Sequence, residues 1–562
     1  MELLDSRRLT GPNLLWDHAG AVLDVRFGDA DPAAVIHTWK EQVRMLLDEL
    51  SWSNQSCCVR RYGAGASLAI SAPMDGLYAA ADINECAWYR ACALMAGEQP
   101  ESLRDDLNRL RRTVHEEHRP RLRALLAEAA QRAVPAVSDD DYLSLGLGKN
   151  SRSWATDALP AIADIPWSEL DAIPVGLITG TNGKTTSVRL SMAIGRAAGL
   201  VVGLSSTDWI AVNDEILERG DYSGPGGARA VLRDRRVELA VLETARGGLL
   251  RRGLALQHAD AALITNVAKD HLGEFGVEDL EQLADVKWIV SRALQGSGRL
   301  ILNAEDPLLV ERARKYRGPI TWFALDPQTP PLVAALQAAD GCACSVVDNQ
   351  IVILRHGSQQ PVVDVDEVPI TFAGAARYNI RNALGVTGLM TALGIDHQQI
   401  AAGLRNLRPE QNPGRGNLYH IGGAQVIADF AHNPHGMQAF LDLGRNIPAR
   451  RRLLVTGQAG DRSDQDIREL VRAAMSIELD RVIIKRMSKY RRGREDGEVA
   501  AMMQEEFLHQ GMRQSQIQHC DVEIEAVTEA VDWAESGDVV LLSIHEDRES
   551  ALTFLESRQD PH

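Results

Sequence analysis

One short run constrains the whole chain. Gly180-Thr181-Asn182-Gly183-Lys184-Thr185-Thr186 stands between the apolar strand pattern VGLITG (175–180) and a helical stretch from Lys184 to a capping Gly199. Glycines let the backbone curl so that successive N–H groups and a helix N-terminus face a polyphosphate, the lysine adds a cation, and a threonine hydroxyl can bind Mg²⁺. The plain alternative is a glycine turn with an unpaired surface lysine, but strand, loop and helix all fall where phosphate binding needs them. Ile178 occupies the position of the first glycine in the general GxxxxGK[ST] signature, so TGTNGKTT is a shorter and more specific form.

The surrounding pattern suits such a loop. Strand-like segments LVVGL (200–204), ELAVLET (238–244), AALITNV (261–267) and RLILN (299–303) alternate with helical segments, which predicts βαβ units in a mostly parallel sheet with ligands at the carboxyl ends of its strands. A second α/β series follows Pro409, with strands at 425–431, 451–457, 480–485 and 538–544, and the Pro/Gly stretch RPEQNPGRGN (408–417) reads as the hinge between the two series. Residues 1–133 read as a separate α+β module, with strand-like AVLDVRF (21–27) and ASLAISA (66–72), helical periodicity around WKEQVRMLLDEL (39–50), and solvent-exposed helices in the Arg- and Glu-rich run 102–134. Residues 134–170 mix Pro, Ser, Asp and Gly without periodicity and read as a connector. The expected division is therefore 1–133, 134–170, 171–407 and 408–562, within the three or four domains that 562 residues allow at roughly 100–200 residues each.

Composition excludes several classes. With 77 Asp plus Glu against 60 Lys plus Arg, the net charge of −17 argues against a nucleic-acid partner, whose phosphates attract clustered cations. No run approaches the ~18 apolar residues of a membrane span, and the N-terminus carries charges where a signal peptide needs an apolar stretch. Seven cysteines, with Cys57-Cys58 and Cys342/Cys344 lacking zinc-ligand spacing, fit incidental thiols in a reducing cytoplasm.

A phosphate loop alone leaves kinase, switch GTPase, transport ATPase and ligase open. TGTNGKTT (179–186) resembles the nucleotide loop of the Mur ligase family, whose members join a carboxylate to an amine through an acyl-phosphate. LETARGGLLRRGL (242–254), ITNVAKDHLGEFGVEDLEQLADVK (264–287), ARYNIRNAL (376–384), NPGRGNLY (412–419), DFAHNPHG (429–436) and GQAGDRSDQDIREL (457–470) extend the likeness over about residues 165–550. They are most similar to the Mur-ligase half of cyanophycin synthetases, and SRRLTGPNLLWDHAGAVLDV (6–25) resembles the start of the N-terminal domain of those enzymes. The implied fold is α/β: a P-loop Mur-ligase central domain plus a Rossmann-like C-terminal domain, preceded by the small α+β module.

The resemblance implies ATP and Mg²⁺ as cofactors, with Gly180, Thr181, Asn182, Gly183, Lys184, Thr185 and Thr186 on the phosphates. Glu243, at a strand end, matches the family's Mg²⁺ ligand beside Thr185, and His271 matches its second metal position. Lys287 matches a lysine that many members carbamylate, although an ordinary helix lysine reads the same way. Asn379 and Asn382 match the segment near the adenine, while Asp429, followed by His432 and Asn433, matches the aspartate that accepts from the ribose. Arg415 at the hinge is placed to contact phosphate, or to form a salt bridge between domains. Lys184, Glu243, His271 and Lys287 are thus the expected catalytic set. Asp461 and Asp464 stand where an incoming amine would pass, or cap the following helix.

One departure matters. A complete cyanophycin synthetase also carries an ATP-grasp domain, and here only the 134–170 connector occupies its place. The expected function is a single ATP-dependent ligation between a small-molecule or peptide carboxylate and an amino acid amine. The opposing expectation is a non-catalytic ATP-binding accessory subunit of a synthetase. Homo-oligomerisation through the N-terminal module is implied by the resemblance.

Overall fold

The computed structural model describes residues 1–408 and 411–560; within the expected hinge 408–417, Pro409 and Glu410 lie outside the described residues. The first layer is a four-stranded antiparallel sheet in the order Glu2–Leu9, Gly20–Arg26, Gly65–Ser71, Cys57–Tyr62. Helix Pro32–Glu49 is started by Asp31, whose carboxylate accepts from the N–H groups of Ala33 and Ala34, and by Pro32 with its preset φ. Its Val35, Trp39, Val43, Leu46 and Leu47 recur at helical spacing and are buried against helix Leu77–Met95 and the sheet. The indole of Trp39 donates to Asn84 Oδ1 at 3.0 Å, which satisfies a buried polar pair in that core. The Arg- and Glu-rich run becomes helices Leu103–Glu117 and Pro120–Gln131, each holding down one apolar stripe.

The stretch expected as a connector has structure of its own. Ala136–Ser138, Tyr142–Leu145 and Arg152–Ala155 form a small antiparallel sheet, and Leu143 and Leu145 share a core with Leu122 and Leu125 of the preceding helix. Strands of three or four residues are too short to show an alternating pattern in sequence.

The central sheet has eleven strands. From Val202–Ser205 through Leu239–Glu243, Val175–Thr179, Ala259–Ile264, Leu294–Asn303 and Ile320–Phe323 to Cys342–Val347 it is parallel, as the βαβ pattern predicts. Antiparallel strands Trp209–Val212 and Glu215–Arg219 extend one edge, and Gln350–Arg355 and Ser358–Asp364 the other. Helices cover both faces and each face has its own apolar core, which is why the central strands read as continuous apolar runs. Helix Lys184–Ala197 lies on one face between helices Arg377–Ala392 and His397–Asn406.

The last sheet runs Asn417–Ile421, Ala424–Asp429, Val539–Ser543, Arg452–Thr456, Arg481–Lys485, Ile517–Cys520, parallel except for the first pair. Among the described residues no helix is long and apolar enough to cross a membrane. The carboxyl ends of the central strands and the Asp429 end of this last sheet face one another across a cleft of about 1630 Å³.

Candidate active site

The phosphate loop starts where the buried strand Val175–Thr179 ends. Gly183 precedes helix Lys184–Ala197 with φ +85°, a conformation a side chain disfavours, and a Cβ there would lie 2.2 Å from Asn382 Oδ1. The loop is pinned from the end of the neighbouring strand. Thr181 N–H donates to Asn266 O (2.9 Å) and Asn182 N–H to Asn266 Oδ1 (3.0 Å), while Thr265 Oγ1 donates to Asn182 O (2.6 Å). Thr181 Oγ1 exchanges hydrogen bonds with Ala268, both 3.0 Å. All seven residues from Gly180 to Thr186 line the cleft, and Lys184 curls back so that its Nζ donates to Thr181 O at 2.9 Å. The first N–H groups of a helix have no intrahelical acceptor, so this end is built to receive anionic oxygens.

Glu243 ends strand Leu239–Glu243 beside that loop and is 1% exposed. One carboxylate oxygen accepts from Thr207 N–H at 3.3 Å; the other, Oε1, is buried without a hydrogen-bond partner. Burial pushes its pKa up, against the pull of Lys184 and Arg415 and of the neighbouring Thr185 hydroxyl, which hydrogen-bonds the carboxylate. Thr185 Oγ1 meets Thr207 Oγ1 at 3.2 Å in the same corner. An orphaned carboxylate oxygen near a hydroxyl is a hard-oxygen donor set, which fits Mg²⁺ with phosphate oxygens completing the shell. Among the described residues no three His, Cys, Asp or Glu side chains converge into a protein-only cage.

His271 stands on the loop that follows strand Ala259–Ile264. Its φ is +48° and that of Phe275 is +52°, each costing of order 1–3 kcal/mol, strain that persists only when the surroundings impose it. The imidazole Nε2 accepts from Arg462 of the last sheet unit at 3.1 Å, and Arg462 also pairs with Asp270 at 2.7 Å. Crowding by protein, with Arg462 adding to it, holds the His271 pKa below its usual value despite Asp270. Lys287 is 2% exposed and lines the cleft. Burial drives its pKa far down, and the charge of Lys184 adds to that effect.

At the other end, Asn382 lines the cleft against Gly183, but Asn379 does not. The Asn379 amide donates to Ile370 O (2.8 Å) and its oxygen accepts from Asn382 (3.1 Å), so it supports Asn382 from behind. Asp429 reaches the cleft from the last sheet; burial raises its pKa to about 6, opposed by Arg415 and by the Gly416 N–H. His432 also faces the cleft, its Nδ1 tied to Phe430 O at 2.9 Å. Arg415 lies 5.2 Å from the Phe430 ring centroid and 3.6 Å from Asp208, so the hinge arginine faces both the cleft and an ion pair.

Asp208, Arg548 and His435, which sequence reasoning passed over, also line the cleft. Asp208 gathers Arg189, Arg548 (2.7 Å) and Arg415, and these guanidiniums hold its pKa down to about 2 although burial opposes them. Arg189 is fully buried, stacked 4.2 Å from the centroid of Trp209. Asn182 and Asn433 exchange amide hydrogen bonds (3.0 and 3.3 Å) across the cleft, with His435 Nδ1 2.9 Å from the Asn182 amide nitrogen. Asp461 lines the cleft, whereas Asp464 is turned away in an ion pair with Arg494 at 2.7 Å. Ser463 caps the helix that follows, Asp464–Ala474.

Two domain models match the chain: the Mur ligase middle domain over residues 178–390, and the Mur ligase, glutamate ligase domain over residues 414–543. Cyanophycin synthetase of Synechocystis sp. is 35% identical over 418 residues, 74% of this chain and 47% of that protein. The UDP-N-acetylmuramoyl-L-alanyl-D-glutamate–2,6-diaminopimelate ligase of Gloeobacter violaceus is 27% identical over 293 residues, 51% of this chain and 55% of that one. The chain spans about half the length of these curated relatives. Among solved structures, E. coli FolC in complex with ADP, without folate substrate, shares the fold with a TM-score of 0.51 at 18% identity, over 68% of this chain and 90% of that chain.

Proposed function

Because the chain belongs to the Mur ligase family, carrying its middle and C-terminal domains, we propose that it is an ATP-dependent ligase joining a carboxylate to an amino acid amine. The observation that carries this reading is the unpartnered Glu243 oxygen beside Lys184 and Thr185, at the mouth of a phosphate loop that shares one cleft with His271 and Lys287. A glycine turn without chemistry has no need of a buried carboxylate with a free oxygen.

Residues 171–407 and 408–562 act as the two ligase domains. Lys184 and the loop N–H groups hold the ATP phosphates, with Asn382 steadying the loop. Glu243 and Thr185 would hold Mg²⁺, whose charge offsets the negative charge gathered at the transferring phosphoryl group. An acceptor carboxylate oxygen attacks the γ-phosphorus and ADP leaves. The amine nitrogen then attacks the acyl carbon, phosphate departs, and the amine gives up a proton as the amide forms. Asp429 and Arg415 orient the nucleotide, and closure across the Asn182–Asn433 pair keeps water from the acyl-phosphate.

Lys287 enters as its carbamate. Its depressed pKa supplies neutral amine, which adds to CO₂ with loss of one proton. The resulting anion suits a site where Lys184 and Arg246 both disfavour an ammonium. His271 and this carbamate face the acceptor. By analogy with the cyanophycin synthetase relatives, we assign the substrates to cyanophycin-like chemistry, an aspartyl side chain accepting an amino acid such as arginine.

The test is ADP release with paired carboxylates and amines, including aspartyl peptides with arginine. Release that requires both, with a product mass equal to their sum less one water, is the expected result. ADP release indifferent to either partner, or nucleotide binding without turnover across the panel, counts against ligation.

A further inference from the structure

We propose that the hairpin Cys57–Tyr62/Gly65–Ser71 of the N-terminal module shapes the acceptor side of the cleft from outside it, with Tyr62 and Arg60 as positioning residues for the loop that carries His271. This rests on the reading that His271 faces the acceptor. The loop from Asp270 to Glu278 seats Val277 in the core of its own sheet, with Leu272 and Phe275 packed against it, but has few hydrogen bonds of its own. Its internal hydrogen bonds are Gly273 N–H to Val277 O (2.7 Å) and Val277 N–H to Glu274 O (3.1 Å), and it holds His271, Gly273, Phe275 and Gly276 at positive φ. Something outside the loop must impose that shape.

The hairpin does so at its tip. Arg60 donates to Gly276 O at 2.8 Å. Tyr62, buried at 8% exposure, lays its ring on Gly276 so closely that a Cβ there would fall 2.3 Å from Cδ1. Gly63, at the hairpin turn, fits against the Glu278 carboxylate in the same way. From the opposite edge strand of the same sheet, Glu2–Leu9, the Arg7 guanidinium lies 4.9 Å from the centroid of Phe275 and its Nε donates to Leu250 O at 2.9 Å. The loop's other side is held by Arg246, paired with Glu274 at 3.0 Å, and by Arg462 on Asp270 and His271. The His271 loop is therefore clamped between a separate module and the last sheet. The module sets where the imidazole stands without reaching the cleft itself: neither Arg60 nor Tyr62 is among its lining residues.

The experiment uses the full chain and the variants Arg60→Met, Tyr62→Ala and Tyr62→Phe. Amide exchange across 270–278 should accelerate at least about tenfold in Arg60→Met and Tyr62→Ala, stay unchanged across 180–186, and return toward wild type in Tyr62→Phe, which keeps the ring. With tri-aspartate and arginine as probes, the apparent KM for tri-aspartate should rise about fivefold or more while the KM for ATP moves less than about twofold. If Tyr62→Ala also loses protection in Gly65–Ser71, the module has unfolded and Arg60→Met decides. Unchanged exchange in 270–278 with an intact module overturns the proposal, as does faster exchange with an unaltered tri-aspartate KM. Should wild-type enzyme not turn over tri-aspartate, that failure falls on the substrate reading, and exchange alone decides the hairpin's role.

Discussion

At the scale of single residues, burial sets the chemistry of this cleft. Lys184 is the cation on the phosphate loop, and Lys184→Met should lower turnover at least about 10³-fold, because charge developing on the transferred phosphoryl loses a preorganised partner. Steady-state ADP release measures this, and near-native activity would remove Lys184 from the site. Asp429 offers a pH test. Its folded-state pKa of about 6 lies above the ordinary 3.8, so the folded chain binds that proton more tightly than the unfolded chain does. The cost of holding the carboxylate is absent below about pH 4 and complete above about pH 6. Asp429→Asn should therefore stabilise the ligand-free protein by up to about 3 kcal/mol near pH 7.5, with the gain fading by pH 4, while the KM for ATP rises. Denaturant melts at the two pH values decide it, and a gain that persists at pH 4 sinks the explanation.

At the scale of elements, what was legible in the sequence was local. The loop 180–186 could be read because strand, turn and helix adjoin in the chain, and the central strands because double-sided burial leaves unbroken apolar runs. Glu243 and Lys287 were found by motif, and the structure sets them in that cleft. Asp208 and its arginines were not legible, because Arg189 is 19 residues away and Arg548 is 340, and a lone Asp in a turn has no sequence signal for such partners. For a related reason the motif gives the helix of Asn379 and Asn382 but not which of the two amides lines the cleft. The Asp208 cluster carries a clear consequence. Asp208→Ala leaves Arg189 buried and uncompensated beside two further guanidiniums, and should cost about 3–5 kcal/mol. Urea unfolding followed through Trp209, which lies under Arg189, is the measurement; a loss below about 1 kcal/mol would show that the cluster is not a structural tie.

At the scale of the whole molecule, separate cores imply separate transitions. The N-terminal module has its own core around Trp39 and Trp88, the central sheet has two, and the last sheet has two more. Calorimetry should show more than one unfolding step. MgATP at 100 times its Kd should stabilise the transition of the central sheet by about 2.7 kcal/mol, and shift the N-terminal step less. One cooperative transition that moves as a unit would contradict this picture. The span from Asp208 to Arg548 also has a meaning in time. At about 5–20 residues per second, a ribosome needs roughly 20–70 s to add the 340 residues that separate them. Throughout that interval Asp208 is present without Arg548. The Asp208 cluster, and with it this tie between the central and last sheets, is therefore completed only once helix Arg548–Arg558 has been made.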